Sequence, residues 1–252
     1  MGKTYVFVNQ KGGVGKTTSA INIGAYLADA GKSVLLVDFD SQANLTSGVG
    51  ADGAKPGSYQ LLSGAATLEE AVQQTSVRGL FVVPASIDLS GAAVELVEQK
   101  DRDFYLKRAL EPASGRYDYV LIDCPPSLGV LTLNGLIAAD AVLIPLQCEY
   151  YALEGLSLLL QTVKRIQKNL NPELDVGGIF FTMYDQRTRL AQDVVRQVSS
   201  YFKDRVFKTI IPRNVRLSEA PSHGVPISQY DALCVGARSY KSLAAEVLDR
   251  GR

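Results

Sequence analysis

The sequence predicts a single α/β domain, residues 1–252, built on a mostly parallel, twisted sheet with helices on both faces. Short, uninterrupted apolar runs, which are typical of strands buried on both faces, alternate along the chain with stretches of helical periodicity. Because parallel strands need crossover connections, this alternation favours a layered α/β architecture. With 252 residues, of which 46% are hydrophobic, the chain is long enough to bury one large core.

The predicted elements follow one another in a regular order. Residues 5–9 form an apolar, β-rich run, a glycine-rich loop comes next, and residues 17–30 have helical spacing that ends at Gly31. Residues 33–38 form a second buried run, which ends in a carboxylate. The same patterns predict strands at residues 80–84, 119–123, 141–147, 176–183 and 206–211, and helices at residues 101–110, 131–138, 153–170, 190–202 and 236–249.

Hydropathy and cysteine usage favour a cytoplasmic protein that does not associate with membranes. No apolar run approaches the roughly 20 residues that a membrane-spanning helix needs, and the chain enters its first strand without a signal-peptide core. Cys124, Cys148 and Cys234 are far apart and odd in number, so their spacing predicts neither a disulfide framework nor a zinc site.

The formal net charge is zero, but the two signs are unevenly distributed along the chain. Residues 1–160 carry 11 Lys and Arg against 17 Asp and Glu, a net charge of −6, whereas residues 161–252 carry 15 against 9, a net charge of +6. A basic carboxy-terminal third is consistent with a polyanionic partner. An ordinary solvated basic face is the alternative, and charge alone leaves both open.

A glycine-rich loop with two lysines separates the first predicted strand from the first helix. The ordinary P-loop reads G-x-x-x-x-G-K-[ST]; here residues 15–17 supply its end, while Gln10 stands at the first glycine position. Backbone N–H groups and a helix amino terminus form an anion cradle in such a loop, in which Lys16 can reach nucleotide phosphates and Thr17 can ligate Mg²⁺. This context predicts a P-loop NTPase fold. The predicted nucleotide-binding residues are Lys11, Gly12, Gly13, Val14, Gly15, Lys16, Thr17 and Thr18.

Carboxylates at two strand ends support this interpretation. Asp123 closes the apolar run 119–123, which has the Walker B form and would place Asp123 near the metal through a water. Asp38 and Asp40 end another predicted strand, and the period of two sends both side chains to the same face. We expect Asp40 to orient the attacking water. Asp38 would either assist the metal site or make a structural hydrogen bond.

Several long motifs resemble those of one family over nearly the whole chain. They are Asn9-Gln-Lys-Gly-Gly-Val-Gly-Lys-Thr-Thr18, Leu35-Leu-Val-Asp-Phe-Asp-Ser-Gln-Ala-Asn44, Asp123-Cys-Pro-Pro-Ser127, Gln147-Cys-Glu-Tyr-Tyr-Ala-Leu-Glu-Gly155 and Ile211-Pro-Arg-Asn-Val-Arg-Leu-Ser-Glu-Ala-Pro-Ser-His-Gly224. The sequence is similar to the ParA/MinD branch of deviant-Walker P-loop ATPases, and most closely to the chromosomal ParA (Soj) partition proteins.

The resemblance implies an ATPase that binds ATP and Mg²⁺ and forms a sandwich homodimer in its ATP state. Lys11 would reach across to the partner's phosphates, and Gly12 would lie at the close interface. Asp40 would be required for hydrolysis, so Lys11, Lys16 and Asp40 are the implied catalytic residues. The residues implied to frame the adenine are Pro212, Arg213 and Asn214.

The resemblance also implies that the ATP dimer binds double-stranded DNA without sequence preference. Arg216 and Arg189 are the positions that match, and weaker candidates are Arg187, Lys203 and Lys208. For each of them a solvated charge or an intramolecular ion pair is the alternative. A ParB-like partner would stimulate hydrolysis, and the protein would act at the nucleoid to segregate a chromosome or plasmid.

Two other classes share the deviant loop. A MinD-like membrane switch would need an amphipathic membrane-binding tail, whereas residues 242–252 are few, carry two acidic side chains and are typical of a packed closing helix. An iron–sulfur electron donor would need two cysteines placed to bridge a cluster between subunits. Cys124 and Cys148 do not lie in that sequence context.

Overall fold

The computed structural model describes residues 2–96 and 99–251, and a seven-stranded sheet forms its centre. The strands are β1 (Lys3–Phe7), β2 (Val34–Asp38), β3 (Gln73–Gln74), β4 (Leu80–Val83), β5 (Tyr119–Asp123), β6 (Ala141–Gln147) and β7 (Asp175–Thr182). They lie in the order β3-β4-β2-β5-β1-β6-β7, and all neighbours are parallel except β3 and β4. The prediction of a mostly parallel sheet is therefore confirmed.

Twelve α-helices connect and cover these strands in the described ranges. They are α1 (Lys16–Asp29), α2 (Asn44–Gly48), α3 (Ser58–Ser63), α4 (Leu68–Ala71), α5 (Leu89–Glu95), α6 (Tyr105–Ala109), α7 (Val130–Ala138), α8 (Ala152–Asn169), α9 (Arg189–Phe202), α10 (Val215–Glu219), α11 (Ile227–Tyr230) and α12 (Val235–Arg250). Short 3₁₀ turns lie at Arg102–Phe104, Glu111–Ala113, Lys203–Arg205 and Ala220–His223. Among these described helices, none combines the length and apolar character needed to cross a membrane.

Alternate residues of the central strands enter two apolar cores, one on each face of the sheet. On β2, Leu35 and Val37 belong to one core, whereas Val34 and Leu36 belong to the other. The first core also contains residues of α7, α8 and α9, and the second contains residues of α1 and α12. Both faces of the strand are buried, which explains its uninterrupted apolar sequence and confirms the prediction of helices on both faces.

The helix that follows the glycine-rich loop is fixed on two sides. Gly24 lets α1 lie close to the sheet, because a Cβ atom there would be 2.8 Å from the Cδ2 atom of Leu36. On its other side α1 packs against α12, where the buried hydroxyl of Tyr240 lies 2.9 Å from the Oγ atom of Ser19. The start of α1 is thus held in place by both the sheet and the last helix.

The predicted strand at residues 206–211 is wrong. The N–H groups of Phe207 and Ile211 do bond to β7 carbonyls, at 2.8 and 2.9 Å. Between them, however, the N–H groups of Lys208 and Thr209 donate to the carboxylate of Glu246 on α12, both at 2.8 Å. A side chain distant in sequence therefore interrupts the ladder, and the segment makes only an isolated bridge to β7.

The predicted helix at residues 101–110 is divided. A 3₁₀ turn is followed by the five-residue α6, because Asn134 of α7 accepts a hydrogen bond from the Leu106 N–H (3.1 Å) and donates one to the Arg102 carbonyl (2.8 Å).

The sequence pattern did not predict the short helices α2 to α5. They have four to seven residues each, too few for a helical period to be recognised.

Candidate active site

A cavity of about 780 Å³ opens at the carboxyl ends of the strands, the edge where open parallel sheets bind ligands. We call one end of it the phosphate end; it is bordered by Gly12, Gly13, Gly15, Lys16, Thr17, Thr18 and Asp40, and we include with it the buried Asp38 and Asp123 at the ends of β2 and β5. We call the other end the base end, because the family resemblance assigns it to adenine. The base end is formed by Met183, Pro212, Arg213, Asn214, Leu217 and Ser218.

The loop backbone is shaped to expose its N–H groups. Gly13 and Gly15 have φ angles of +73° and +85°, in the left-handed region that favours glycine. Gly15 precedes the 14-residue α1 and provides no side-chain cap, so the first N–H groups of that helix are free to bind an anion. The buried Val14 contributes only its backbone, whose carbonyl accepts a 2.8 Å hydrogen bond from Thr182 of β7.

Lys16 lies inside this loop and is only 7% exposed. Its ammonium group donates to the carbonyls of Asn9 (3.3 Å) and Lys11 (3.4 Å), so it is held across the loop and borders the cavity. Burial lowers the pKa of Lys16, although the carboxylates of Asp123 and Asp40 act in the opposite direction. A buried cation at this point can bind phosphate oxygens strongly, because little water screens the charge.

Lys11 occupies a different environment from Lys16. Its ammonium group pairs with the carboxylate of Glu149, on the segment after β6, and lies 3.5 Å from the Oε1 atom of Gln147, the last residue of β6. The Lys11 side chain is half exposed, and it is not among the described side chains that border the cavity. The structure therefore brings Lys16 into the site of its own chain and leaves Lys11 outside it.

Asp123 is fully enclosed at the end of β5, beside Asp38 in the register of β2. Burial, followed by the nearby Asp38 carboxylate, raises the pKa of Asp123 to about 8, against the opposite effects of Thr17 and Lys16. Its Oδ1 atom is buried and has no hydrogen-bond partner among the residues that the structure describes. An unpaired buried carboxylate oxygen beside the Thr17 hydroxyl suits a hydrated Mg²⁺ ion, which uses few protein ligands.

Asp38 makes the structural hydrogen bonds that were one of its two predicted roles. Its Oδ2 atom accepts from the Thr46 N–H (2.8 Å) and the Thr46 hydroxyl (2.6 Å), and its Oδ1 atom accepts from the Asp40 N–H (3.3 Å). Burial raises the pKa of Asp38 to about 6, while the bonds from Thr46 oppose that increase. The geometry favours a residue that fixes the loop after β2 over a direct metal ligand.

Asp40 is partly exposed and borders the cavity. Its Oδ1 atom accepts a 3.1 Å hydrogen bond from the Gln42 N–H, which orders the turn that leads to α2. The carboxylate can accept a further hydrogen bond from a water in the cavity. Its placement is compatible with the predicted role in orienting the attacking water.

The base end depends on contacts between the segment directly after β7 and the chain before α10. Pro212 pairs with Tyr184 in an isolated bridge, and the Arg213 N–H donates to the Tyr184 carbonyl at 3.1 Å. The Oδ1 atom of Asn214 is buried, and no group in the described chain donates a hydrogen bond to it. An unpaired acceptor facing a nucleotide cavity is suited to an exocyclic amino group.

Several residues of the base end were missed by sequence reasoning. Met183, with a φ angle of +49°, borders the cavity directly after β7, and Leu217, Ser218 and Tyr240 contribute from α10 and α12. Leu217 and Ser218 lie within the quoted motif at residues 211–224 but were not singled out there. For Met183 the signal was the end of the predicted strand at residue 183.

The two arginines predicted to contact DNA differ in their surroundings. Arg216 of α10 is about half exposed and pairs with Glu219 (2.9 Å) and Asp231 (3.5 Å). Arg189 is exposed at the start of α9, and within the described ranges no ion pair is found for it. Arg187, a weaker candidate, is paired with Asp185 through two guanidinium nitrogens, at 2.9 and 2.7 Å.

A glycine-rich anion cradle, a buried lysine within it and a carboxylate on the adjacent strand are the arrangement of a P-loop ATPase. A family model described as an AAA domain matches residues 2–176. The chromosome-partitioning ATPase Soj of Treponema pallidum is 67% identical over 251 residues, which cover 99% of this chain and 98% of that protein. The chain belongs to the ParA/Soj family of chromosome-partitioning ATPases.

Two further proteins are similar to this chain over nearly their whole length. The sporulation initiation inhibitor protein Soj of Bacillus subtilis is 54% identical over 253 residues, with complete coverage of both chains. A crystal structure of cobyrinic acid a,c-diamide synthase from Mycobacterium smegmatis, with a bound ATP analogue and magnesium, has a TM-score of 0.85 and 39% identity. It covers 98% of this chain and 95% of its own.

Proposed function

We propose that the protein is an ATP-driven DNA-segregation switch. It hydrolyses ATP with Mg²⁺, dimerises in its ATP state, binds DNA without sequence preference and segregates a chromosome or plasmid with a ParB-like partner. The observation that carries the ATPase part is the buried Lys16 ammonium inside a loop of free N–H groups, beside the unpaired oxygen of Asp123. Family membership supports the role in segregation.

The chemistry requires positioning more than covalent participation. The loop N–H groups and Lys16 bind the β and γ phosphates, Thr17 and Asp123 hold the hydrated metal, and Asp40 accepts a hydrogen bond from the attacking water. When bound, Mg²⁺ neutralises charge that develops on the phosphate oxygens. Asp38 acts indirectly, since its bonds to Thr46 and Asp40 fix the segment that carries the Asp40 carboxylate.

The proposed dimer gives Lys11, the second lysine of the loop, a binding role. Lys11 lies outside the cavity of its own chain and is half exposed, so it is available to the phosphates of a partner protomer. Gly12 has space around it, with only the Pro126 Cβ atom at 4.0 Å from a Cβ placed there. A side chain at residue 12 would therefore project into the space needed by the partner.

The DNA contacts belong to the basic carboxy-terminal third. Arg216 and Arg189 would bind phosphates, and two protomers would combine their basic surfaces, so that affinity depends on ATP. The protein would work in the cytoplasm at the nucleoid. We also propose that residues 1–252 form one ATPase domain, because both helical layers pack on a common sheet.

The MinD-like membrane switch remains the alternative, but the last helix offers it little support. Leu243, Ala244 and Val247 of α12 are buried in the core beside α1. The apolar face that would enter a membrane is therefore used within the fold.

The test is a DNA-binding titration of the purified chain with ATP, ADP and no nucleotide, repeated over a salt series. ATP-dependent, salt-sensitive binding to unrelated duplexes would support the proposal. Lys16→Ala is the matched control and should lose the ATP dependence. Equal DNA binding in all nucleotide states, or ATP-dependent binding to anionic vesicles in place of DNA, would contradict it.

A further inference from the structure

Helix α10 connects the nucleotide cavity to the surface that carries Arg216. Its residues Leu217 and Ser218 border the cavity, and the preceding segment with Asn214 forms the base end. The side chain of Arg216 projects from the same helix and is exposed to solvent. A nucleotide base and a DNA phosphate would therefore contact two sides of one five-residue helix.

The guanidinium group of Arg216 is held by two carboxylates from different elements. Its Nη1 atom lies 2.9 Å from the Glu219 Oε2 atom, one turn further along α10. Its Nε atom lies 3.5 Å from the Asp231 Oδ2 atom, on the segment between α11 and α12. Arg216 thus joins α10 to a part of the chain that does not border the cavity. We call Glu219 and Asp231 the carboxylate clamp.

Both carboxylates are fixed by other bonds as well. The Tyr230 hydroxyl donates to the same Glu219 oxygen at 3.1 Å, and the other oxygen of Asp231 accepts from the N–H groups of Leu233 (3.2 Å) and Cys234 (3.1 Å). The bond from Arg216, followed by that from Tyr230, lowers the pKa of Glu219, which keeps this carboxylate charged. The clamp is therefore an ordered group of charges.

The local charge opposes DNA binding. One guanidinium faces two carboxylates, so the group carries a net charge of −1 and repels a phosphate. The clamp also engages two of the three guanidinium nitrogens through which Arg216 could donate to a phosphate. Arg189 shows no such pairing in the part of the chain that the structure describes. Of the two arginines assigned to the DNA contact, Arg216 is therefore the one that is held by carboxylates in the described structure.

We propose that the carboxylate clamp withholds Arg216 from DNA until nucleotide binding shifts α10 relative to the α11–α12 segment. A base in the cavity would press on α10 at Leu217 and Ser218, whereas Asp231 is bonded to the backbone N–H groups of Leu233 and Cys234, directly before α12. The Nε–Asp231 contact is the longer of the two, so a small shift of α10 weakens it first. This inference rests on the proposed DNA-binding function and adds its regulation.

The test uses fluorescence anisotropy with a labelled duplex of arbitrary sequence, at low salt, on the full chain without nucleotide, with ADP and with ATP. Glu219→Gln and Asp231→Asn keep the shape of each side chain and the acceptor oxygens used by Tyr230, Leu233 and Cys234. Each should tighten nucleotide-free DNA binding about two- to fivefold, as expected for a partly exposed ion pair. The ratio of ATP-state to nucleotide-free affinity should fall accordingly.

Two controls separate the clamp from a general charge effect. Glu173→Gln removes the same charge from an exposed residue between α8 and β7 and should have a smaller effect. In an Arg216→Gln background, Glu219→Gln should no longer tighten binding, because the clamp acts through Arg216.

The outcomes distinguish this inference from the proposed function. If Arg216→Gln leaves ATP-dependent DNA binding unchanged, the DNA contact assigned to Arg216 fails and the clamp fails with it. If Arg216→Gln weakens binding but the clamp variants do not tighten it, or tighten it equally without Arg216, only the clamp is overturned.

Discussion

The phosphate end and the base end of the cavity are built in different ways. Lys16, Asp38 and Asp123 at the phosphate end are at most 7% exposed; Asp38 and Asp123 end the paired strands β2 and β5, and Lys16 begins the 14-residue helix α1. At the base end Met183 is 36% exposed, and Asn214 leads into a helix of five residues. The charged groups of the phosphate end are therefore buried close to the sheet, whereas the base end is formed by segments outside the sheet.

Lys16→Ala is the variant with the largest expected effect, and it tests whether the phosphate end depends on its buried cation. The substitution removes the buried cation of the phosphate end, so we expect ATP affinity to fall by about 100-fold or more. Lys11→Ala removes the same charge from the same loop and should leave ATP binding by the isolated protomer within about threefold, because Lys11 lies outside the cavity. Titration with a fluorescent ATP analogue measures both. Equal losses would abolish the distinction between the two lysines.

Asp40→Ala tests the catalytic part of the phosphate end. We expect the rate of phosphate release to fall about 100-fold, since the attacking water loses its orienting carboxylate. ATP affinity should stay within about threefold, and light scattering in excess Mg-ATP should find a persistent dimer. A monomer under those conditions, or an unchanged hydrolysis rate, would count against the assigned role.

Thr46→Val tests whether the phosphate end is as rigid as its hydrogen bonds indicate. The Thr46 hydroxyl donates to Asp38 at 2.6 Å and accepts from the Ala85 N–H at 2.8 Å, all within the buried interior. Its loss leaves buried polar groups unpaired, and the free energy of unfolding should fall by about 1–3 kcal/mol. Thr46→Ser retains the hydroxyl and is the matched control. Urea denaturation that shows equal stability of both variants would refute the importance of this bond.

Asn214→Ala probes the base end and should have the smallest effect. Its buried Oδ1 atom is expected to accept a hydrogen bond from the adenine amino group, and its loss should weaken ATP binding by about tenfold. GTP has no amino group at that position, so GTP affinity should change much less. Competition titrations with the two nucleotides measure the difference. An equal loss for both would assign Asn214 a structural role.

The sequence predicted the phosphate end far better than the base end. Residues 119–123 and 141–147 are strands with the predicted bounds, because fully buried parallel strands have uninterrupted apolar sequences. The loop at residues 11–18 was recognised since its glycines and lysines lie side by side in the chain. Its assigned residue roles stay predictions until variants are measured.

The remaining features depend on contacts between distant parts of the chain. Lys11 pairs with Glu149, which lies 138 residues away, and Arg216 pairs with Asp231 from a different element. The strand prediction at residues 206–211 was wrong for the same reason, because the N–H groups of Lys208 and Thr209 donate to the distant Glu246 carboxylate. No local pattern contains such pairings.

The hydrogen bond between Tyr240 and Ser19 joins an early part of the chain to a late one. During protein synthesis the loop and the first turn of α1 leave the ribosome well before α12, because Tyr240, through which α12 borders the cavity, lies 221 residues beyond Ser19. A nascent chain therefore lacks one wall of the pocket until residue 240 has emerged.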